Sequence, residues 1–324
     1  LRELRTEQEI VQKWKRPCSG PLVSICCTAY NHQTYIEDTL KGFLIQETDF
    51  PFEILIYDDA STDHTAAIIR EYEKTYPGLI KPIYQTENQY SKGSRPTVEF
   101  NLPRAKGDYI ALCEGDDYWT DPCKLQKQVA FLEKHTDFSI CFHNMRILYD
   151  GYPDLSRLSN IRQKGITTIK NIARGNYIYT ASCVFRKNFT TVPDWFRLCP
   201  VGDYPLHLLN ARHGKIKFIN QTMGTYRVHK KGIWEHESLP WRLEKWEQML
   251  DVINDKFDSR VNKILSNSLN DVRYQLARHC LKARNYHDFK LNFVKMRDSS
   301  KTFRHKMKTG LLFSEYFIRS RTEK

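Results

Sequence analysis

The apolar positions of this chain fall into short, nearly unbroken runs separated by amphipathic stretches. Leu22 to Cys27, Phe52 to Tyr57 and Tyr109 to Cys113 are runs of the kind expected for parallel strands buried on both faces. Leu79 to Gln85 reads as a third strand, and Pro82 within it predicts an edge position because proline cannot donate to a ladder. Between the runs, Ile36, Leu40, Phe43 and Leu44 share one helical face, as do Ile68, Ile69 and Tyr72. Strand and helix alternate about every 30 residues, which predicts an α/β domain with a mainly parallel central sheet flanked by helices. Residues 1–20 read as a polar, helical lead-in ending at Pro17 and Gly20. Residues 21–234 read as the main domain, with Tyr179 to Phe185 as a further strand. Residues 235–324 read as a helical region in which Trp241, Leu243, Trp246, Leu250 and Ile253 recur at helical spacing.

The predicted strands end in polar clusters: Thr28-Ala29-Tyr30-Asn31, Asp58-Asp59-Ala60-Ser61-Thr62-Asp63 and Glu114-Gly115-Asp116-Asp117. Ligands of open α/β sheets bind at the carboxyl ends of the strands, and all three clusters fall there. Three carboxylates in four residues, Glu114, Asp116 and Asp117, repel one another and resist desolvation. A divalent cation with oxygen ligands offsets that repulsion. The plain alternative for the acidic turn is ordinary loop chemistry with a helix-capping Asp. Asp59 could likewise cap the next helix, although Ser61, Thr62 and Asp63 already offer caps.

Composition narrows the class. Apolar residues make up 40% and aromatics 13% of the 324 residues, which marks a globular chain with a large core. No stretch approaches the roughly 18 apolar residues of a membrane span. Residues 1–16 are charged and lack an apolar signal core. The chain begins at Leu1 rather than Met, which leaves an upstream segment open. Nine cysteines without a CxxC pair predict free thiols, a reducing cytoplasmic compartment and no structural zinc. The net charge of +12 predicts an anionic partner: nucleic acid, a phosphorylated small molecule or an anionic membrane face. Residues 301–324 carry seven Lys or Arg against two Glu, interleaved with Leu311, Leu312, Phe313, Tyr316, Phe317 and Ile318. Such a segment either lies on the inner face of a membrane as a peripheral anchor or packs as a terminal helix.

Val23 to Asn31, Tyr57 to Asp63 and Glu114 to Asp117, taken in order, resemble glycosyltransferase family 2, and the resemblance runs from about Leu22 to Trp234. It implies the GT-A fold and transfer of a sugar from a nucleotide donor, here a UDP-sugar, with inversion at the anomeric carbon. The implied acceptor is a hydroxyl of a glycan or lipid-linked saccharide, as in bacterial polysaccharide synthesis. Thr28, Ala29, Tyr30 and Asn31 would then meet the nucleotide, with Tyr30 stacking on uracil and Asp59 accepting its N3–H. Asp116 is the implied metal ligand, Mn²⁺ or Mg²⁺ being favoured by oxygen donors. Asp117 is an alternative ligand. Glu114, beside Gly115, stands where the family usually has Asp and would contact the ribose or the metal.

Inversion needs a general base across the site from the leaving group. The resemblance assigns it to Asp203 in Val201-Gly202-Asp203-Tyr204-Pro205; the plain reading is an N-cap, and Asp194 is the nearest competitor. Arg227, His229 and Lys230 would touch the diphosphate from a mobile loop with a glycine hinge, His229 being either a metal ligand as well or an ordinary structural histidine, and Trp234 would line the pocket or pack in the core. Lys92 and Arg95 are diphosphate or acceptor contacts, or else solvated loop charges. A nucleotidyltransferase also uses metal-bound Asp but needs a Gly-rich phosphate loop, and Thr28 to Gln33 has no glycine. A glycosidase would leave the nucleotide-like cluster unexplained. A basic nucleic-acid-binding protein is the non-enzymatic alternative, but no such motif is present, so no nucleic acid is expected.

Overall fold

The computed structural model describes the whole chain except residues 1–3, 17–18, 233, 235–236, 300–302 and 322–324. Pro17, Lys301 and Lys324, invoked above for the lead-in and the tail, lie outside the described residues. The chain divides into two compact units. The first comprises Leu1–Ile169, Tyr177–Arg197 and Gly202–Lys230, and the second Lys170–Asn176, Leu198–Val201 and Lys231–Lys324.

The first unit is built on one sheet of ten strands: β1 (Val23–Ala29), β2 (Phe52–Asp58), β3 (Ile80–Tyr84), β4 (Tyr109–Leu112), β5 (Tyr118–Trp119), β6 (Phe138–Tyr149), β7 (Tyr152–Leu158), β8 (Ile166–Thr167), β9 (Val184–Arg186) and β10 (Lys215–Val228). Their order is β3-β2-β1-β4-β9-β6-β10-β5, with β7 on β6 and β8 on β10. β1, β2, β3 and β4 form parallel pairs, and so do β6 and β10, whereas β9 runs antiparallel between β4 and β6. The α/β expectation holds, and β3 with its Pro82 is indeed an end strand.

Every residue of β2 is buried, and every residue of β1 but Thr28, which is why both read as continuous apolar runs. Helix α2 (Ile36–Leu44) covers one face with Ile36, Leu40, Phe43 and Leu44. Gly42 allows this helix to approach the acidic-turn strand: a Cβ there would lie 2.8 Å from the backbone nitrogen of Trp119. Helix α3 (Thr65–Thr75) contributes Ile69. Its N-cap residue is His64, which makes no side-chain capping bond, and Asp63 before it accepts from the Thr65 amide at 2.9 Å. Ser61, also expected as a cap, instead donates to Asp58 at 2.5 Å, since the buried end of β2 needs a partner for that carboxylate. Helix α4 (Lys124–Lys134) follows β5, and α5 (Asp203–Ala211) precedes β10.

Three expectations change. Among its described residues the lead-in contains one short helix, α1 (Glu7–Val11), whose Ile10 is part of the first unit's core. The stretch Tyr179 to Phe185 is a 3₁₀ turn over Thr180–Ser182 followed by the short β9. Arg227 does not sit in a mobile loop: it lies in β10, paired with Leu148 of β6, because the strand continues past Gly224 rather than hinging there.

The second unit holds α6 (Leu239–Ile253), α7 (Ser259–Lys282), α8 (Tyr286–Ser299) and α9 (Phe303–Arg321). Ala277, Leu281, Phe289, Met296 and Leu312 form its core. Trp234 packs edge-on against Trp241 in this unit, with ring centroids 5.8 Å apart. Among the described residues no helix is long and apolar enough to cross a membrane, and the described cysteines are free.

Candidate active site

The three polar clusters meet because the backbone ties them together. The Gly115 amide donates to the Thr28 carbonyl at 2.9 Å, and the Asp59 amide donates to the Ala29 carbonyl at 2.9 Å. Asn31 takes a left-handed φ of 55°, a conformation that asparagine tolerates. Its side chain accepts from the Thr62 amide at 2.8 Å, and its own amide donates to Ser61 Oγ at 2.9 Å. Asn31 therefore clamps the ends of β1 and β2 to one another. Tyr30, next to it, leaves its ring exposed.

Asp59 is buried but not saturated. Its Oδ1 accepts from the Gln89 amide at 2.7 Å and the Tyr57 hydroxyl at 3.3 Å, and its Oδ2 from the Tyr90 amide at 2.9 Å. A carboxylate has about four acceptor positions, so one remains on Oδ2. Lys92 pairs with Glu87, and Arg95 lies 5.7 Å from the Tyr90 ring centroid; both basic side chains have local partners.

In the acidic turn the three carboxyls have separate fates. Asp116 Oδ2 meets His229 Nε2 at 3.0 Å and His32 Nε2 at 3.7 Å. Burial works against its ionisation, but His32 and His229 outweigh burial and hold its carboxyl below the ordinary range. Asp117 accepts from the backbone amide of Arg227 at 2.9 Å. Burial, then Asp116 and Glu114, push it well above the usual carboxylate range. Glu114 is pushed up to about 8, first by burial, then by the charges of Asp116 and Asp203, while Thr180 bonds its side chain.

Asp203 is the first residue of α5, and Gly202 occupies the capping position without a side-chain hydrogen bond. The plain capping reading is thus not what the structure has. The half-buried carboxyl stands at a helix N-terminus, where the dipole favours the anion, and near enough to Glu114 to raise it. Residues 87 and 89 positions apart in the chain are thereby brought to one place. Asp194, the competitor, is exposed.

Arg227, expected at the diphosphate, is engaged elsewhere. Its guanidinium pairs with Asp38, donates to the Asp116 carbonyl at 2.8 Å and lies 4.2 Å from the Tyr118 ring centroid. It fixes the acidic turn between α2 and β10. His229 is buried against Tyr35, with ring centroids 4.6 Å apart, and the Tyr35 hydroxyl donates to Asp150 at 2.8 Å. Sequence reasoning missed His32, Asp38 and Asp150. Of these only His32 left a trace, in its position directly after a strand-end cluster.

A divalent cation fits this place on two observations. A partly buried, ionised carboxylate has two imidazole nitrogens near one of its oxygens, and the Nδ1 atoms of His32 and His229 are buried without a hydrogen-bond partner. Among the described residues, no group of three or more His, Cys, Asp or Glu side chains is placed to hold a metal ion. Cations held by one or two protein carboxylates and completed by substrate phosphates need no such group.

A mixed sheet with helices on its faces and carboxylates at the strand ends defines a GT-A type α/β protein. Solved structures share that fold. Staphylococcus aureus TarS residues 1–349 with UDP-GlcNAc aligns at TM-score 0.65 and 18% identity, covering 93% of this chain and 89% of that one. Mannosyltransferase PcManGT of Pyrobaculum calidifontis, with GDP-Man and Mn²⁺, aligns at TM-score 0.52 and 15% identity, covering 98% and 94%. The profile of glycosyl transferase family 2 matches residues 24–191, just over half of the sequence, and the chain belongs to that family of enzymes. An uncharacterised protein of Mycobacterium tuberculosis is 39% identical over 227 residues, covering 69% of this chain and 64% of its own. The match therefore spans less than two thirds of that relative's length. The Escherichia coli protein WfaP, a UDP-Glc:α-D-GlcNAc-diphosphoundecaprenol β-1,3-glucosyltransferase, is 38% identical over 117 residues, covering 36% of this chain and 43% of its own.

Proposed function

We propose that the protein is an inverting glycosyltransferase that moves a sugar from a UDP-sugar to a hydroxyl of a glycan or lipid-linked saccharide. The observation that carries the reading is the convergence of Asp116, His229, Glu114 and Asp203 at the end of the sheet that also presents Asp59 and Tyr30. UDP-GlcNAc in the TarS structure and the diphosphoundecaprenol acceptor in the name of WfaP support the donor and acceptor classes.

Asp59 accepts the uracil N3–H at its remaining acceptor position, with Tyr30 against the base and Thr28 and Ala29 lining the β1 end. Asp203 takes the proton of the acceptor hydroxyl, and the resulting oxygen attacks the anomeric carbon as the bond to the β-phosphate oxygen breaks. UDP leaves from the opposite face, which inverts the configuration. Asp116 and His229 hold a divalent cation that, when bound, acts as a Lewis acid toward the departing diphosphate. Glu114 and Gly115 shape the ribose side, and Asp117 and Arg227 keep the turn in register. The exposed face of α9 supports the reading of a peripheral enzyme that docks on the anionic, cytoplasmic face of a membrane.

The test is UDP release from a panel of UDP-sugars with a lipid-linked saccharide and Mn²⁺ or Mg²⁺, run beside calorimetric UDP binding. The expected result is metal-dependent UDP binding that Asp116→Ala abolishes. UDP binding that ignores metal, or no UDP binding at all, overturns the assignment.

A further inference from the structure

Helix α2 begins where β1 ends. The His32 carbonyl accepts from the amides of Tyr35 and Ile36 at 2.8 Å each, which anchors the helix to the strand-end cluster of Tyr30 and Asn31. From there α2 runs beside the acidic turn and the segment after it, and the two are joined step by step. Asp38 pairs with Arg227, which donates to the Asp116 carbonyl at 2.8 Å. Gly42 lets the helix press on Trp119, as the 2.8 Å from its would-be Cβ to the Trp119 nitrogen shows. Just past the helix, Gln46 donates to the Asp121 carbonyl at 2.9 Å and accepts from the Leu125 amide at 3.1 Å.

Thr39 is the member of this row that grips the turn itself. Its side chain is buried. The hydroxyl oxygen lies 2.6 Å from the Asp117 carbonyl and 3.0 Å from the Gly115 carbonyl. The Tyr35 carbonyl, four residues back, where a helical threonine ordinarily donates, is farther away at 3.4 Å. A hydroxyl has one proton to give, and the two carbonyls that share it belong to the residues on either side of Asp116. The Gly115 carbonyl is part of the planar peptide that leads into the Asp116 Cα. Holding that peptide aims the Asp116 side chain.

We propose that Thr39 is a positioning residue of the transfer reaction, acting from α2 through the backbone of the acidic turn to set where the Asp116 carboxylate stands. This rests on the transferase reading above. Valine fills the same space as threonine but leaves the two carbonyls without that proton. A hydroxyl that only satisfied buried carbonyls would matter to stability and leave turnover by the folded enzyme untouched.

The test compares Thr39→Val and Thr39→Ser with wild type in the full chain. The readouts are UDP release from the UDP-sugar that wild type turns over, and hydrogen exchange of the amides from Glu114 to Trp119. Leu132→Ala, at a buried core position on α4, supplies a variant destabilised away from the turn. Thr39→Val is expected to lose about tenfold to a hundredfold in kcat per folded molecule and to exchange faster across the turn. Thr39→Ser should restore both, and Leu132→Ala should keep wild-type kcat at a temperature where it is folded. Wild-type kcat in folded Thr39→Val overturns the proposal and leaves the transferase reading in place. So does an equal loss in Thr39→Ser or in Leu132→Ala. If wild type releases UDP from no UDP-sugar, the donor reading falls and exchange decides: faster exchange in Thr39→Val alone keeps Thr39 as the residue that holds the turn, and unchanged exchange overturns it.

Discussion

Lys124 lies wholly inside the protein with its ammonium nitrogen 3.8 Å from the centroid of the Trp119 ring. That nitrogen has no hydrogen-bond partner. Burial pulls its pKa from 10.5 down to about 8, against the influence of the thiols of Cys183, Cys113 and Cys141. The aromatic face offsets part of the desolvation. Below about pH 8 both folded and unfolded chains carry the proton, and the folded state bears the full cost of the buried charge. From about 8 to 10.5 the unfolded chain binds more protons, so stability rises with pH, and above 10.5 the cost is gone. Lys124→Met is therefore expected to be more stable than wild type at pH 7, by on the order of 3 kcal/mol, with the gap closing toward pH 10.5. Urea midpoints at pH 7 and 10 check this. A variant weaker than wild type at both would mean that the ring contact outweighs desolvation.

Glu114 shifts the other way. Burial, then Asp116 and Asp203, hold its carboxyl at about 8 against an ordinary 4.5. Between those values the folded chain keeps a proton that the unfolded chain has lost, so stability falls as pH rises. Glu114→Gln fixes the neutral form. In chelator-treated protein, wild type should lose more melting temperature than the variant between about pH 5 and pH 8. Parallel losses in the two proteins would place the proton elsewhere.

The parallel half of the sheet was legible because strands buried on both faces are mostly apolar: β1 and β2 carry only Ser24, Thr28, Glu53 and Asp58 among their apolar positions. The other half was not. In β10, Ile216 and Phe218 are buried between the charged Lys215 and Lys217, but the register with β6 shifts at Ile219 and again at Thr222, and these irregularities break the alternation that marks a strand. At the site, charge crowding within four residues marked the acidic turn, and only the family resemblance singled out Asp116 within it. His32, Asp38 and Asp150 act through partners 84, 189 and 115 positions away, and contacts of that span leave no local pattern. Arg227 is a further case: its contacts with Asp38 and Tyr118 span 189 and 109 positions.

Asp203 opens α5 without capping it, so its removal tests chemistry more than folding. Asp203→Asn keeps the shape and loses the proton acceptor. Transfer measured as UDP release should fall about 10²–10⁴-fold, with UDP affinity and melting temperature near those of wild type. Asp194→Asn, on an exposed carboxylate, should keep full turnover. Equal losses in the two variants would remove Asp203 from the mechanism.

The last helix, α9, has two faces with different partners. Leu312 is buried, and Tyr316 stacks on Phe289 with centroids 4.8 Å apart and meets Tyr286 edge-on at 5.7 Å. These contacts hold the helix in the second unit. On the remaining surface Met307, Leu311, Phe313 and Phe317 are 54%, 66%, 53% and 45% exposed, and Lys306 beside them is exposed as well. Apolar side chains flanked by cations suit the boundary of an anionic bilayer. Met307→Glu with Leu311→Glu alters only exposed positions, so circular dichroism should be unchanged. Sedimentation with vesicles containing anionic lipid should fall about tenfold or more relative to wild type, since both buried apolar area and charge attraction are lost. Equal sedimentation of the two proteins would leave α9 as a packing helix without a role at the membrane.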